Sequence, residues 1–286
     1  MLVNYTEFNV RLLGLLRRHG VRVLWYAAPQ VWAWRPKRAG HIARNVDAMA
    51  VILPFEESLW RNHGADARYV GHPAMEVERL SRAAARAELG LSDDVHATAI
   101  LPGSRPREVR RLLPAMLKAV APSERRKGHT ARVLLTMALD DDVRAWARAR
   151  AREAGVAVYE VAAEDGAPRV LAAFDAALSA SGTASLEAVM ANVPPVVAYR
   201  LDAVAAFVAR RLLRTPHVAL PNVLLGRRAF PELLQDDARA EPMRAALSGL
   251  AAHREQALAD CAETQRVLGK GHAPSRTVAD MIAPWL

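Results

Sequence analysis

Short apolar runs alternate with amphipathic stretches along most of the chain, the pattern of a parallel sheet whose strands are joined by crossover helices. FNVRLLGLLRRHG carries its apolar residues at helical spacing and places Gly20 just past the end, which predicts a helix with a glycine stop. The strand VRVLWYA follows, then a basic helix near Lys37 to Asn45, the strand AMAVILP, the short helix FEESLWRNHG and the strand ARYVG. That is about half of a doubly wound sheet, so residues 1–78 are expected to form an incomplete first domain. After the Ala/Arg/Ser-rich stretch Ser81 to Asp94, which holds a short helix, the strands ATAILPG, ARVLLTMAL, VAVYEV, AALSAS and PPVVAYR alternate with helical segments. A nearly complete second α/β domain is expected over 79–270. Beyond Arg200, LDAVAAFVARRLL, AFPELLQ, PMRAALSGLAAHREQALADCAETQRVL and TVADMIAPWL read as helices with no further strand, and 271–286 is expected as a separate C-terminal helix.

Composition narrows the partners. The 286 residues are 52% hydrophobic and 24% charged, as in an ordinary globular chain, and no tract approaches the ~20 uninterrupted apolar residues a membrane span needs. The start, MLVNYTEFNVRLL, places Glu7 and Arg11 where a signal peptide needs an apolar core, so a cytoplasmic location is expected. One cysteine, Cys261, forms neither an internal disulfide nor a multi-thiolate metal site. Lys and Arg number 39 against 30 Asp and Glu, a net charge of +9 that points to an anionic partner or to a bias spread over solvated helix faces. No basic block carries the interleaved aromatics of a single-strand binder, and no zinc-finger or basic-zipper pattern occurs, so nucleic acid is disfavoured.

Two segments carry candidate chemistry. AILPGSRPREVRRLLP puts Gly103, Ser104 and Arg105 between a strand and a helix that Pro106 opens. Backbone N–H groups at a glycine turn, the helix dipole and a forked guanidinium together suit a diphosphate, although the tripeptide alone equally fits a plain strand-to-helix turn. ALSASGTASLEAVMANVPPVVAYR repeats the arrangement with Ser181, Gly182 and Thr183 before a helix bearing Glu187. Thr183 or Ser181 is positioned to cap that helix, Gly182 to admit a ligand to its amides, and Glu187 to accept from the vicinal hydroxyls of a ribose. Asn222, behind Pro221 in HVALPNVLLGRRAFPELLQDD, fits either a site residue or ordinary turn chemistry. Trp32 and Trp34, followed by Arg35, Lys37 and Arg38, suit the surface of an anionic membrane, or a packed core. His72 in GHP reads as structural rather than catalytic.

LPGSR, SGTASLE, and LPN followed by GR and PELLQ, with YAAPQVWAWRPKR and LPFEESLW…YVGHP in the first half, resemble the successive blocks of the lipid-A-disaccharide synthase family, in that family's order and over almost the whole chain. The resemblance implies two Rossmann-like domains in the GT-B arrangement. It implies transfer of 2,3-diacylglucosamine, with inversion, from its UDP form to 2,3-diacylglucosamine 1-phosphate at the anionic inner-membrane surface, with no metal or other cofactor. Gly103, Ser104, Arg105, Ser181, Gly182, Thr183, Glu187 and Asn222 match motif positions and are expected to bind the UDP-sugar. Two departures stand out. The family has a further N-terminal stretch with its own glycine- and acid-containing loop, which raises the expectation of a non-catalytic homologue or a separately encoded N-terminal half. A block resembling I-D-x-P-D-F-N runs here as Val3-Asn4-Tyr5-Thr6-Glu7-Phe8-Asn9, so both acids differ. Glu7 is then the candidate general base, since an amide at Asn4 cannot take a proton, and it is equally a first-turn helix acid.

Overall fold

The computed structural model describes residues 1–124, 128–162, 166–202, 215–269 and 273–285. They form two compact units, one built chiefly from Met1–Glu76 and Arg266–Leu286, the other chiefly from Val77–Val208 and His217–Gln265.

The first unit is a parallel sheet of β1 (Leu2–Val3), β2 (Leu24–Tyr26), β3 (Ala48–Val51) and β4 (Ala67–Tyr69), in that spatial order, with helices α1 (Thr6–Arg18), α2 (Ala39–Ala43) and α3 (Pro54–Asn62). Gly20 takes the left-handed φ of 67° just past α1, where the glycine stop was expected. Successive strand residues point to opposite faces, and both faces are covered, which is why the strands read as continuous apolar runs. Trp25, Met49 and Val51 pack on one face with Leu13, Ile42 and Trp60, while Leu24, Ala48 and Ala50 pack on the other with Val70 and Val278. Val278 belongs to the C-terminal helix Pro274–Ile282, whose Met281 and Ile282 join the same cluster. The final segment is therefore part of the first unit, not a separate tail: without it, one face of this sheet would expose its alanines and leucine to water.

In the second unit, α4 (Arg82–Glu88), β5 (His96–Leu101), α5 (Pro106–Glu124), β6 (His129–Thr136), α6 (Asp141–Glu153), β7 (Ala157–Val161), α7 (Pro168–Leu171), β8 (Ala176–Ala180), α8 (Thr183–Met190) and β9 (Pro195–Tyr199) follow in turn. They are followed by α9 (Leu220–Leu225), β10 (Glu232–Leu234), α10 (Ala240–Ala252) and α11 (Arg254–Leu268). The six strands are parallel in the order β10-β9-β8-β5-β6-β7. Ile100, Val133, Leu178 and Val196 face α5, α6 and α10, and Ala99, Leu101, Leu134 and Ala177 face the layer of Val170, Leu171, Phe174 and Ala188. From β5 the chain winds outward through β6 and β7, then returns to the far side of β5 as β8 and winds the other way. The order thus reverses between β5 and β8, where Leu101 lies opposite Ser179.

Two expectations fail here. PELLQ, read as helical, supplies β10, an edge strand pairing Glu232 with Val197 and Leu234 with Tyr199. Pro231 ahead of it lacks an N–H but offers its carbonyl to Val197 N at 2.8 Å, and this pairing overrides the helical preference of Glu and Leu. The long C-terminal helix is two helices, broken at His253 (φ −117°, ψ 41°). From residue 203 the helix expected over LDAVAAFVARRLL lies outside the described residues.

Leu178, fully buried on the central strand β8, is a test of this core. Leu178→Ala is expected to lower stability by about 2–5 kcal/mol through lost transfer energy and the remaining cavity, read as a fall in the denaturant midpoint at unchanged slope.

Candidate functional site

At the carboxyl ends of β5 and β8 a cavity of about 320 Å³ opens in the second unit. Among the described residues its wall includes Gly103, Ser104, Arg105, Ser181, Gly182, Thr183 and Glu187, so seven of the eight residues expected to bind the UDP-sugar share one cavity. They come from two turns almost 80 positions apart in sequence, and the reversal of strand order makes those turns neighbours.

Each glycine has its own reason. Gly103 has φ 110°, which strains any residue with a side chain, and a Cβ there would lie 2.7 Å from Glu108 Oε2, so that the Glu108 carboxylate would have to move. Gly182 has φ 137° with open space where a Cβ would be, so only its backbone demands glycine. Gly182 is the N-cap of α8 and gives no side-chain acceptor to that helix. The expected caps act otherwise: Ser181 Oγ donates to the Val218 carbonyl at 3.0 Å, and Thr183 is the first helical residue. The first turn of α8 thus has no side-chain cap, and helix N-terminal amides of this kind suit an anion.

Arg105 is 78% exposed and uses one N–H on Glu108 at 3.2 Å, leaving most of its guanidinium for a ligand. Glu187 is half-buried on α8, and burial raises its carboxyl above the usual range, an effect partly countered by the positive charge of Arg79. Sequence reasoning missed Glu108, Thr136 and Pro168, which also line the cavity. Thr136 ends β6 next to the switch point, and that position was its available signal.

Asn222 is placed elsewhere. It is fully buried on α9, with Nδ2 donating to Phe230 O (2.8 Å) and Glu232 Oε1 (2.7 Å) and Oδ1 accepting from Phe230 N (2.9 Å). It does not line the cavity; its amide ties α9 to the strand that PELLQ forms. Glu232 is the hub of this cluster, also accepting from Val218 N and Ala219 N at 3.1 Å, so the segment that receives Ser181 Oγ is anchored on a buried carboxylate.

In the first unit, Glu7 sits in the first turn of α1 and its Oε1 accepts from Arg35 (2.9 Å) and Arg38 (2.7 Å). The Arg38 hydrogen bond, with the charges of Arg38, Arg35 and Arg11, holds its carboxyl below the usual range. Trp32 is half-buried, edge-on to Phe55, and donates to Glu56 at 2.9 Å; burial pushes the Glu56 carboxyl up to about 7. Trp34 is exposed with the Arg35 guanidinium 4.5 Å from its ring centre. His72 is buried, its Nδ1 accepts from Ala74 N at 3.1 Å, and burial lowers its pKa to about 4, so it is a neutral structural residue. Among the described residues no helix is long and apolar enough to cross a membrane.

Comparison with known proteins identifies the fold and the family. A UDP-bound structure of Staphylococcus aureus MnaA aligns with 98% of the chain (12% identity, TM-score 0.66, 74% of that chain). A putative UDP-N-acetylglucosamine 2-epimerase from Listeria monocytogenes matches 99% of the chain at 15% identity and TM-score 0.65, covering 72% of its own length. These likenesses show the fold, a two-sheet α/β arrangement of GT-B type. Lipid-A-disaccharide synthase of Myxococcus xanthus is 40% identical over 288 residues, 99% of this chain and 74% of the relative. That of Anaeromyxobacter sp. is 42% identical over 292 residues, with the same coverage. The model of the lipid-A-disaccharide synthetase family matches residues 1–283, and the chain belongs to that family, whose members are glycosyltransferases of lipid A biosynthesis.

Proposed function

We propose that the chain transfers 2,3-diacylglucosamine from its UDP form to 2,3-diacylglucosamine 1-phosphate and releases UDP, working at an anionic membrane surface. The observation that carries this reading is the cavity at the switch point, where two glycine turns, Arg105 and Glu187 surround one space. In this reading the ribose hydroxyls donate to Glu187, and the diphosphate lies across the turns at Gly103 and Gly182. The acceptor hydroxyl attacks the anomeric carbon from the face opposite the departing UDP and gives its proton to a general base, for which Glu7 is the candidate, as the bond to the diphosphate oxygen breaks. Arg105 and the first amides of α8 stabilise the charge that grows on the leaving diphosphate.

A second reading, a homologue that binds the donor without transferring it or acts with a separately encoded half, is favoured by Glu7. A carboxylate already held by two guanidiniums, with its pKa lowered, is a poor acceptor of a hydroxyl proton. The two readings separate in an assay of lipid disaccharide formation from the UDP donor and its 1-phosphate acceptor. Turnover that Glu7→Gln reduces by roughly 10²-fold or more supports transfer with Glu7 as base. Donor binding without turnover supports the second reading.

Arg105→Ala and Glu187→Ala are each expected to weaken UDP binding by about 1–3 kcal/mol, the range for a lost charged hydrogen bond, in titration calorimetry. Wild-type affinity in both variants would place the nucleotide elsewhere. The pH dependence gives an independent check. Glu187 accepts hydroxyls best as a carboxylate, and its raised pKa makes it take up a proton at higher pH than an exposed glutamate does. UDP affinity should therefore fall as pH drops through that raised value, and the ratio of wild-type to Glu187→Gln affinity should shrink in step. A ratio that stays constant across mildly acidic pH would show that Glu187 does not touch the ligand.

A further inference from the structure

The cavity in the second unit leaves unused a cluster of positive charge in the first. Arg35 Nη1 and Arg38 Nη1 converge on one oxygen of Glu7, at 2.9 and 2.7 Å, and Arg11 acts on the same carboxylate from α1. Two guanidiniums thus contact one negative group and a third acts on it by its charge, and Lys37 belongs to the same short turn, Pro36–Arg38. Glu7 is about half exposed and the arginine side chains about a third or more, so the cluster opens to solvent. The Arg35 and Arg38 guanidiniums have five N–H groups each and donate one each to Glu7, so the donors left over exceed what a single carboxylate can use. Arg35 holds the left-handed φ of 56°, uncommon for a residue with a side chain, and its guanidinium lies over Trp34. Two guanidiniums meeting at one oxygen offer the charge and the N–H donors that a phosphate's oxygens accept.

We propose that Arg35 and Arg38, with Arg11 beside them, form a phosphomonoester site in the first unit, in which Glu7 marks the position of an anionic oxygen when no ligand is bound. The ligand class is a sugar or lipid carrying a terminal phosphate. Its identity as the phosphate of the acceptor rests on the functional reading above; the binding chemistry does not. Glu7 competes with the ligand for the guanidiniums, so removing its charge strengthens the site while removing the arginines abolishes it. A general base or a plain surface ion pair would not give this opposed pair of effects.

The test uses the full chain with N-acetylglucosamine 1-phosphate and, as its phosphate-free control, N-acetylglucosamine. UDP binding is measured in parallel as the readout of the second unit. The wild type is expected to bind the sugar phosphate saturably and not the sugar. Arg35→Ala with Arg38→Ala should weaken that binding roughly tenfold or more, as expected for two lost charge-assisted hydrogen bonds, with UDP affinity unchanged. Glu7→Gln, which keeps an oxygen for the arginines, should tighten it several-fold. Vesicles containing phosphatidic acid, set against phosphatidylglycerol vesicles of matched surface charge, separate the sources. Preferential capture by phosphatidic acid assigns a lipid phosphate, and binding of the free sugar phosphate alone assigns a soluble one. The proposal is overturned if the wild type binds no phosphomonoester, if Glu7→Gln leaves the sugar-phosphate affinity unchanged or weaker, or if both vesicles are captured equally and released by salt. Should the double variant fail to fold, Glu7→Gln decides the matter. Loss of UDP binding alone counts against the nucleotide site and leaves this one standing.

Discussion

The site in the second unit depends on one pairing, that of β5 with β8. Because the chain winds outward from β5 in both directions, these two strands are neighbours with no connection crossing between their carboxyl ends, and the loops that leave them diverge to opposite faces of the sheet. The gap between the loops is the cavity, and its chemistry follows from what each loop must do. Gly103 turns where a Cβ would strike Glu108, and Gly182 starts α8 with a backbone conformation that side chains rarely adopt. Both turns line the same space, and the packed faces of the sheet, with Ile100 and Leu178 on one side and Leu101 and Ala177 on the other, hold the strands that carry them.

Around that centre the polar groups divide into those that face the cavity and those that hold its walls. Arg105 and Glu187 face it, one exposed and cationic, the other half-buried with a carboxyl that burial makes less acidic. Asn222 and Glu232 hold the wall: their buried bonds fasten the Val218–Asn222 segment to β10, and that segment receives Ser181 Oγ. Asn222, which does not line the cavity, thus acts on it through the segment it anchors. The first unit shows a different balance, with its charge gathered near the surface at Glu7, Arg35 and Arg38 and its one deeply buried carboxylate, Glu56, spent on Trp32 and the start of α3.

Most of the strands were legible because parallel strands covered on both faces must be apolar throughout, and runs such as AMAVILP and ATAILPG have no competing helical period. The two glycine turns were legible because glycine before a helix is a local signal with a local cause. What was not legible depended on partners distant in sequence. Glu232 to Leu234 prefer a helix on their own and become a strand through the free edge of β9. The final helix looked independent because nothing in TVADMIAPWL says that Leu24 and Ala48 need covering. Asn222 beside Pro221 suggests a turn or a ligand, and only the fold reveals Phe230 and Glu232 as its partners.

The central claim is that the nucleotide occupies the space between the two glycine turns. A crystal structure of the chain with UDP tests it most directly. The account predicts the diphosphate over the amides at Gly103 and Gly182 within reach of Arg105, and both ribose hydroxyls within hydrogen-bonding distance of Glu187. UDP bound away from the ends of β5 and β8, or seated there with its ribose turned away from Glu187, would contradict it.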